Sequence, residues 1–184
     1  MLLIRPELMR SFQEFLYSVW TGILNNGITV RVAEWVSQVA GKRYLDITAE
    51  PFGGKPTLYL HKDDRTRIRV GDVGDDIKTL VLGRMIIEYL NPEIILWDNI
   101  EINMSPQTLT ALASWLAELA EKGKQIVVTT HSLEAVRLIA TTVASESVNT
   151  AVLKLSLDKG LLKAEKLSIE EVEKLKELGI DVRV

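Results

Sequence analysis

Two apolar runs flanking one amphipathic segment constrain this chain more than anything else in it. In EIILWDN (93–99), four consecutive apolar residues, Ile94, Ile95, Leu96 and Trp97, run into Asp98. A strand without alternation reads as buried on both faces of a parallel sheet. QIVVTT (125–130) repeats the pattern and runs into His131 and Ser132. Between the two, Leu109, Leu112, Leu116 and Leu119 recur at helical spacing and Gly123 closes the segment. Strand, helix, strand is therefore the expected unit, and such a crossover leaves its strands parallel. Asp98 and His131 are then delivered to the carboxyl edge of one sheet, where open α/β sheets bind ligands.

The remaining segments supply layers for that sheet. Leu8, Phe12, Phe15, Leu16, Val19 and Ile23 predict one helix over 7–24, and Val32, Trp35, Val36 and Val39 a second, closed by Gly41. From 43 to 70 the period becomes two, with Leu45, Ile47 and Ala49 expected on one face and turns at Gly53-Gly54 and Asp63-Asp64. Past His131 the pattern predicts a helix, a hairpin turning at Asp158-Lys159-Gly160, and a last helix capped by Ser168 and Glu171 and ending at Gly179.

Composition narrows the classes. The 184 residues are 47% hydrophobic and 26% charged, which suits one domain over 1–184. With no cysteine and two histidines, disulfides, thiolate sites and His-rich metal centres are excluded. A net charge of -3 gives no overall basic footprint. Lys154, Lys159, Lys163 and Lys166 tint the tail, but Asp158, Glu165, Glu170 and Glu171 between them favour a solvated surface over a nucleic-acid contact. Arg5, Glu7 and Arg10 interrupt the opening apolar residues, so neither a signal peptide nor a membrane span is expected, and the expected location is cytoplasmic.

In GGKPT (53–57) the first glycine of G-x-x-x-x-G-K-[ST] is missing, proline follows the lysine, and a strand comes next. It is not a phosphate loop. RVGDVGDDIK (69–78) places Gly71 and Gly74 ahead of a helix with Asp75 and Asp76 in its first turn. Such aspartates commonly cap free N–H groups, whereas a glycine-flanked helix start bearing Lys78 also has the makings of an anion seat.

In order, VGDVGDDIK, IILWDNIE and VVTTHS resemble the second half of the nucleotide-binding domain of ABC-type ATPases. The resemblance is to the branch holding structural-maintenance-of-chromosomes (SMC) proteins, double-strand-break repair ATPases and the overcoming-lysogenization-defect family. It covers about 68–144. It implies a P-loop-NTPase-like α/β fold, a parallel sheet with flanking helices plus antiparallel hairpins, lacking its Walker A half. It also implies that Gly74, Asp75, Asp76 and Lys78 are the signature loop, which contacts a nucleotide held by an opposing subunit. By the same resemblance Asp98 is the Walker B aspartate on magnesium, Asn99 stands where a carboxylate handles the attacking water, Glu101 is the second acid, and His131 is the switch histidine.

Asn99 cannot take a proton, so the implied hydrolysis is slow or absent. Asp76 and Ser105 stand where the family usually has glycine and often has histidine. The expected cofactors, ATP and Mg2+, depend on an upstream Walker A lobe supplied in cis or in trans, because the chain reads as the C-terminal part of a longer ATPase. A homodimer through the signature loop or the N-terminal helices is the other expected partnership. The competing expectation is a non-enzymatic interaction or regulatory module with a decayed nucleotide site.

Overall fold

The computed structural model describes residues 1–145, 148–168, 170–172 and 174. The chain opens with strand β1 (Leu2–Ile4), a 3-10 turn at Pro6–Leu8, and helices α1 (Met9–Ser18), α2 (Trp20–Asn25) and α3 (Ile28–Ala40). An antiparallel sheet follows, β2 (Tyr44–Phe52), β3 (Lys55–Lys62) and β4 (Arg67–Arg69), in that order across the sheet. Next come a short helix α4 (Val70–Val73), the long helix α5 (Asp75–Leu90), β5 (Ile94–Trp97), α6 (Pro106–Glu121), β6 (Gln125–Val128) and α7 (Leu133–Ser145). The hairpin β7 (Val152–Asp158) and β8 (Leu161–Leu167) turns through Lys159 and Gly160, both at positive φ, as a two-residue hairpin turn of the favoured hand requires.

β5, α6 and β6 form the expected parallel unit, with Trp97 paired to Val128. The first strand was not foreseen: β1 pairs in parallel with β5, so β5 is central and the order is β1-β5-β6. One face of this sheet is packed. Leu2, Ile4, Ile95 and Trp97 are buried there, and α5 approaches so closely that a Cβ on Gly83 would lie 2.7 Å from Trp97 Cη2. The other face corrects the expectation of burial on both sides. Its row of paired residues, Leu3, Leu96 and Val127, leaves Leu3 39% and Val127 45% exposed, because no described helix lies across it as α5 lies across the first.

Two further expectations need correction. The helix over 7–24 is interrupted at Val19, whose φ of -111° lies outside the helical range and divides α1 from α2. The apolar stripe of α1 faces the core: Phe12 and Leu16 are buried and Phe15, at the rim, meets Tyr89 edge-on at 6.1 Å. In β2 a bulge between Tyr44 and Asp46 shifts the register, so Tyr44 is buried and Leu45 exposed, while Ile47 keeps its inward position. The Ser168–Glu171 capping box is formed, with Glu171 Oε2 accepting the Ser168 N–H at 2.7 Å and Ser168 Oγ accepting the Glu171 N–H at 3.2 Å. The helix end at Gly179 lies outside the described residues. No described helix is long and apolar enough to cross a membrane.

Candidate functional site

Parallel pairing of β5 and β6 sets two loops side by side at their carboxyl ends. Beyond the Trp97–Val128 pair, the next residues in register are Asp98 and Thr129. The Thr129 hydroxyl donates to Asp98 Oδ1 at 2.5 Å and accepts the Asn99 N–H at 3.0 Å. The Ile100 N–H donates to the Thr129 carbonyl at 3.0 Å, and the His131 N–H to Glu101 Oε1 at 3.0 Å. The His131 side chain itself is exposed. Asp98, Asn99, Glu101 and His131 are thus brought together at one sheet edge.

The residue that follows β1 supplies a second partner for this carboxylate. The Asp98 N–H donates to the Ile4 carbonyl at 2.9 Å, which sets Arg5 beside Asp98, and Arg5 Nε lies 3.2 Å from Asp98 Oδ2. The same nitrogen lies 3.6 Å from Glu7 Oε2. Both Asp98 oxygens are therefore engaged, one by a hydroxyl and one by a guanidinium. Neither Arg5 nor Thr129 was picked out from sequence. Thr129 was within reach, since aligning the parallel runs LWD and VVT pairs it with Asp98. Arg5 was not, because a three-residue strand carries no readable period.

The glycine-led helix start lies across a hollow from this loop. Gly74 has φ 144° and ψ 151°, a conformation open essentially to glycine, and its carbonyl accepts the Lys78 N–H at 3.0 Å. Gly74, the N-cap, offers no side chain, but Asp76 in the first turn accepts the otherwise free Ile77 N–H with Oδ1 at 2.8 Å. Asp75, Lys78 and Thr79 line a hollow of about 160 Å³ together with Trp97, Asn99 and Asn103. Lys78 also lines a second hollow of about 210 Å³, with Phe52, Arg69 and Asp72. Arg69 is held there by Asp72 at 2.6 Å and lies over the Phe52 ring at 4.4 Å. Ser105, standing where a histidine is often found, caps α6 by accepting the Thr108 N–H at 3.2 Å.

Asp98 offers the hard oxygen donors that magnesium favours. It offers them alone, as no three carboxylate or imidazole groups cluster as a metal site among the described residues. The residues present fit a magnesium ion only where phosphate oxygens and water complete its shell.

With this geometry in view, comparison with known proteins is informative about the fold. Residues 54–137 match the family model described as AAA domain, putative AbiEii toxin, Type IV TA system. No curated protein matches the chain. Among solved structures, one comes from a study of ATP-driven dimerization and DNA-stimulated activation of SMC ATPases. It is 18% identical, with a TM-score of 0.61 over 91% of this chain and 96% of that one. The Smc head domain with a coiled coil and joint from Pyrococcus yayanosii is 14% identical, with a TM-score of 0.58 over 94% of this chain. An Smc head bound to the C-winged helix domain of ScpA is 13% identical, with a TM-score of 0.58 over 94% of this chain. The chain spans 32% and 57% of the length of these last two. It has the α/β fold of SMC ATPase heads.

Proposed function

We propose that this chain is the signature, Walker B and switch-bearing part of an ABC/SMC-type ATPase module, which binds ATP with magnesium once a Walker A lobe joins it. The observation that carries this reading is the unfinished half of the parallel sheet. β6 is paired on one side only among the described residues, and the row Leu3, Leu96, Val127 lies half bare. One more strand on the β6 edge and one helix across that face would complete the layers. A strand followed by a helix, joined by a glycine-rich loop, is the phosphate-binding unit that this chain lacks. That unit would bring its loop to the carboxyl end of β6, beside His131 and Asp98.

In this reading Asp98 holds magnesium through its water shell, exchanging its contact with Arg5, which has Glu7 as a second partner. Magnesium, when bound, neutralises charge on the phosphates. His131 reaches the terminal phosphate, and Asn99 hydrogen-bonds a water without deprotonating it, so turnover is slow. Gly74, Asp75, Asp76 and Lys78 form the signature loop. The nucleotide opposite that loop is held by a second module, as ATP-driven dimerization in the SMC relative suggests. A non-enzymatic interaction module is the second reading. The Arg5–Asp98 pair favours it, because a guanidinium already occupies the carboxylate.

Calorimetric titration of MgATP tests the proposal on the chain alone and on the chain joined to a Walker A lobe taken from an SMC head. Binding is expected only in the joined protein, and Asp98→Ala is expected to weaken it. Micromolar binding by the chain alone, or none by a folded joined protein, overturns the reading.

A further inference from the structure

Two carboxylates project from the loop after β5, and only Asp98 has a task in the reading above. Glu101 accepts the His131 N–H with Oε1 at 3.0 Å, while its Oε2 is buried and meets no donor among the described residues. The neighbouring contacts between the two loops are made by backbone groups and by Thr129. Glu101 adds the outermost contact, on the histidine residue itself.

A carboxylate in this position is an expensive way to close two loops. Leaving one oxygen buried without a donor costs more than a neutral acceptor would, so such a group calls for an explanation other than stability. What Glu101 does do is local. A bond from N–H to carboxylate is charge-assisted and stronger than a neutral one, and this one holds the backbone from which the exposed imidazole projects. No hydrogen bond to that imidazole is made by the described residues, so residue 131 is tethered through its backbone, and Glu101 is the side chain that does it.

We propose that Glu101 is the positioning residue for His131: it clamps the loop after β6 to the loop after β5 and fixes where the switch imidazole starts from. Its purpose rests on the nucleotide-site reading of His131, but the clamp is a property of the chain alone and is testable without nucleotide. Glu101→Gln keeps an acceptor oxygen within reach of the His131 N–H. Glu101→Met fills similar space and has none.

The experiment is amide hydrogen exchange by NMR on the full chain in parent, Glu101→Gln and Glu101→Met, with the His131 ring resonances followed in parallel. In Glu101→Met the His131 amide is expected to exchange about tenfold faster, the loss of one hydrogen bond, with its ring signals moving toward free-histidine positions. Glu101→Gln is expected to stay within about threefold of the parent, and the amides of α5 and α6 to be unchanged in both. Equal His131 exchange in all three proteins overturns the proposal. So does general acceleration through α5 and α6 in Glu101→Met, or a Glu101→Gln variant as fast as Glu101→Met. Failure of the nucleotide reading shows separately, as absent MgATP binding by the joined protein with the clamp intact.

Discussion

Leucine occurs in two opposite situations in this molecule. On α6, Leu109, Leu112, Leu116 and Leu119 are buried. On the β7–β8 hairpin, Leu153, Leu155 and Leu157 share one face with Leu162 and Ala164, and the three β7 leucines are 58%, 58% and 70% exposed. Both rows follow the period of their element. What differs is the presence of a second layer: α6 lies among α3, α5, α7 and the parallel sheet, whereas no described element covers the hairpin face. Periodicity thus decides which face of an element is apolar, and neighbouring layers decide whether that apolarity stabilises the fold. Full burial of a leucine side chain stabilises by roughly 1.5–3 kcal/mol, a gain the hairpin forgoes.

The largest effect should come from breaking the buried row. Leu112→Ala is expected to cost about 2–5 kcal/mol of unfolding free energy, while Leu155→Ala stays within about 0.5 kcal/mol, both read from denaturant midpoints. Equal costs would mean that the hairpin face is covered in solution. Overpacking the closest approach of α5 to the sheet comes next. Gly83→Ala is expected to destabilise by about 1–3 kcal/mol, since its Cβ would press on a buried Trp97 that has little room to yield. Unchanged thermal melting would show that α5 slides freely over β5.

A third, smaller effect separates the loops from the core. Asn99 has φ 53°, in the left-handed region that asparagine tolerates better than most side chains. Asn99→Glu, which in the proposed nucleotide site would put a carboxylate beside the attacking water, should cost about 1 kcal/mol of stability. Asn99→Gly should be near neutral by the same melting assay. In the joined protein, Asn99→Glu should still raise ATP turnover by roughly a hundred to ten thousand times, the usual range for a positioned acid-base group. Background turnover in a folded, MgATP-binding variant would remove Asn99 from the water site.

The smallest effect lies on the outer face of β2–β3, which is neither buried nor bare. Glu50 is held there by the Thr48 hydroxyl at 2.8 Å, Arg67 at 2.9 Å and His61 at 3.2 Å. The Thr48 hydrogen bond first, then the Arg67 charge and His61, hold its carboxyl below the usual carboxylate value. A carboxyl lowered on folding contributes stability above its unfolded pKa and loses it as pH falls through the folded one. Glu50→Gln should therefore trail the parent slightly at neutral pH and match it in acid. A gap that persists in acid would assign the difference to packing.

The placement of Asp98 and His131 in the candidate site was legible beforehand because it follows from chain connectivity. A strand, a helix and a strand in close sequence usually form a parallel crossover unit, and the parallel β5–β6 pair does set Asp98 and His131 at one edge. The same local logic reached the turn at Lys159-Gly160, the α6 crossover and the Ser168–Glu171 cap, each of which depends on a few adjacent residues. The rest depended on partners distant in the chain. β1 is a strand only because it pairs with β5, and with it came Arg5, whose guanidinium on Asp98 no local pattern announces. The bulge that turned Leu45 outward is a register shift between two strands, and the bare row Leu3, Leu96, Val127 reflects a layer that β5 lacks on one side. By itself the sequence determined which residues occupy the carboxyl ends of the strands and which faces are apolar, because both follow from backbone period and chain connectivity. Only the tertiary structure decided what touches Asp98 and which apolar faces are covered, because contacts between distant segments depend on packing and register.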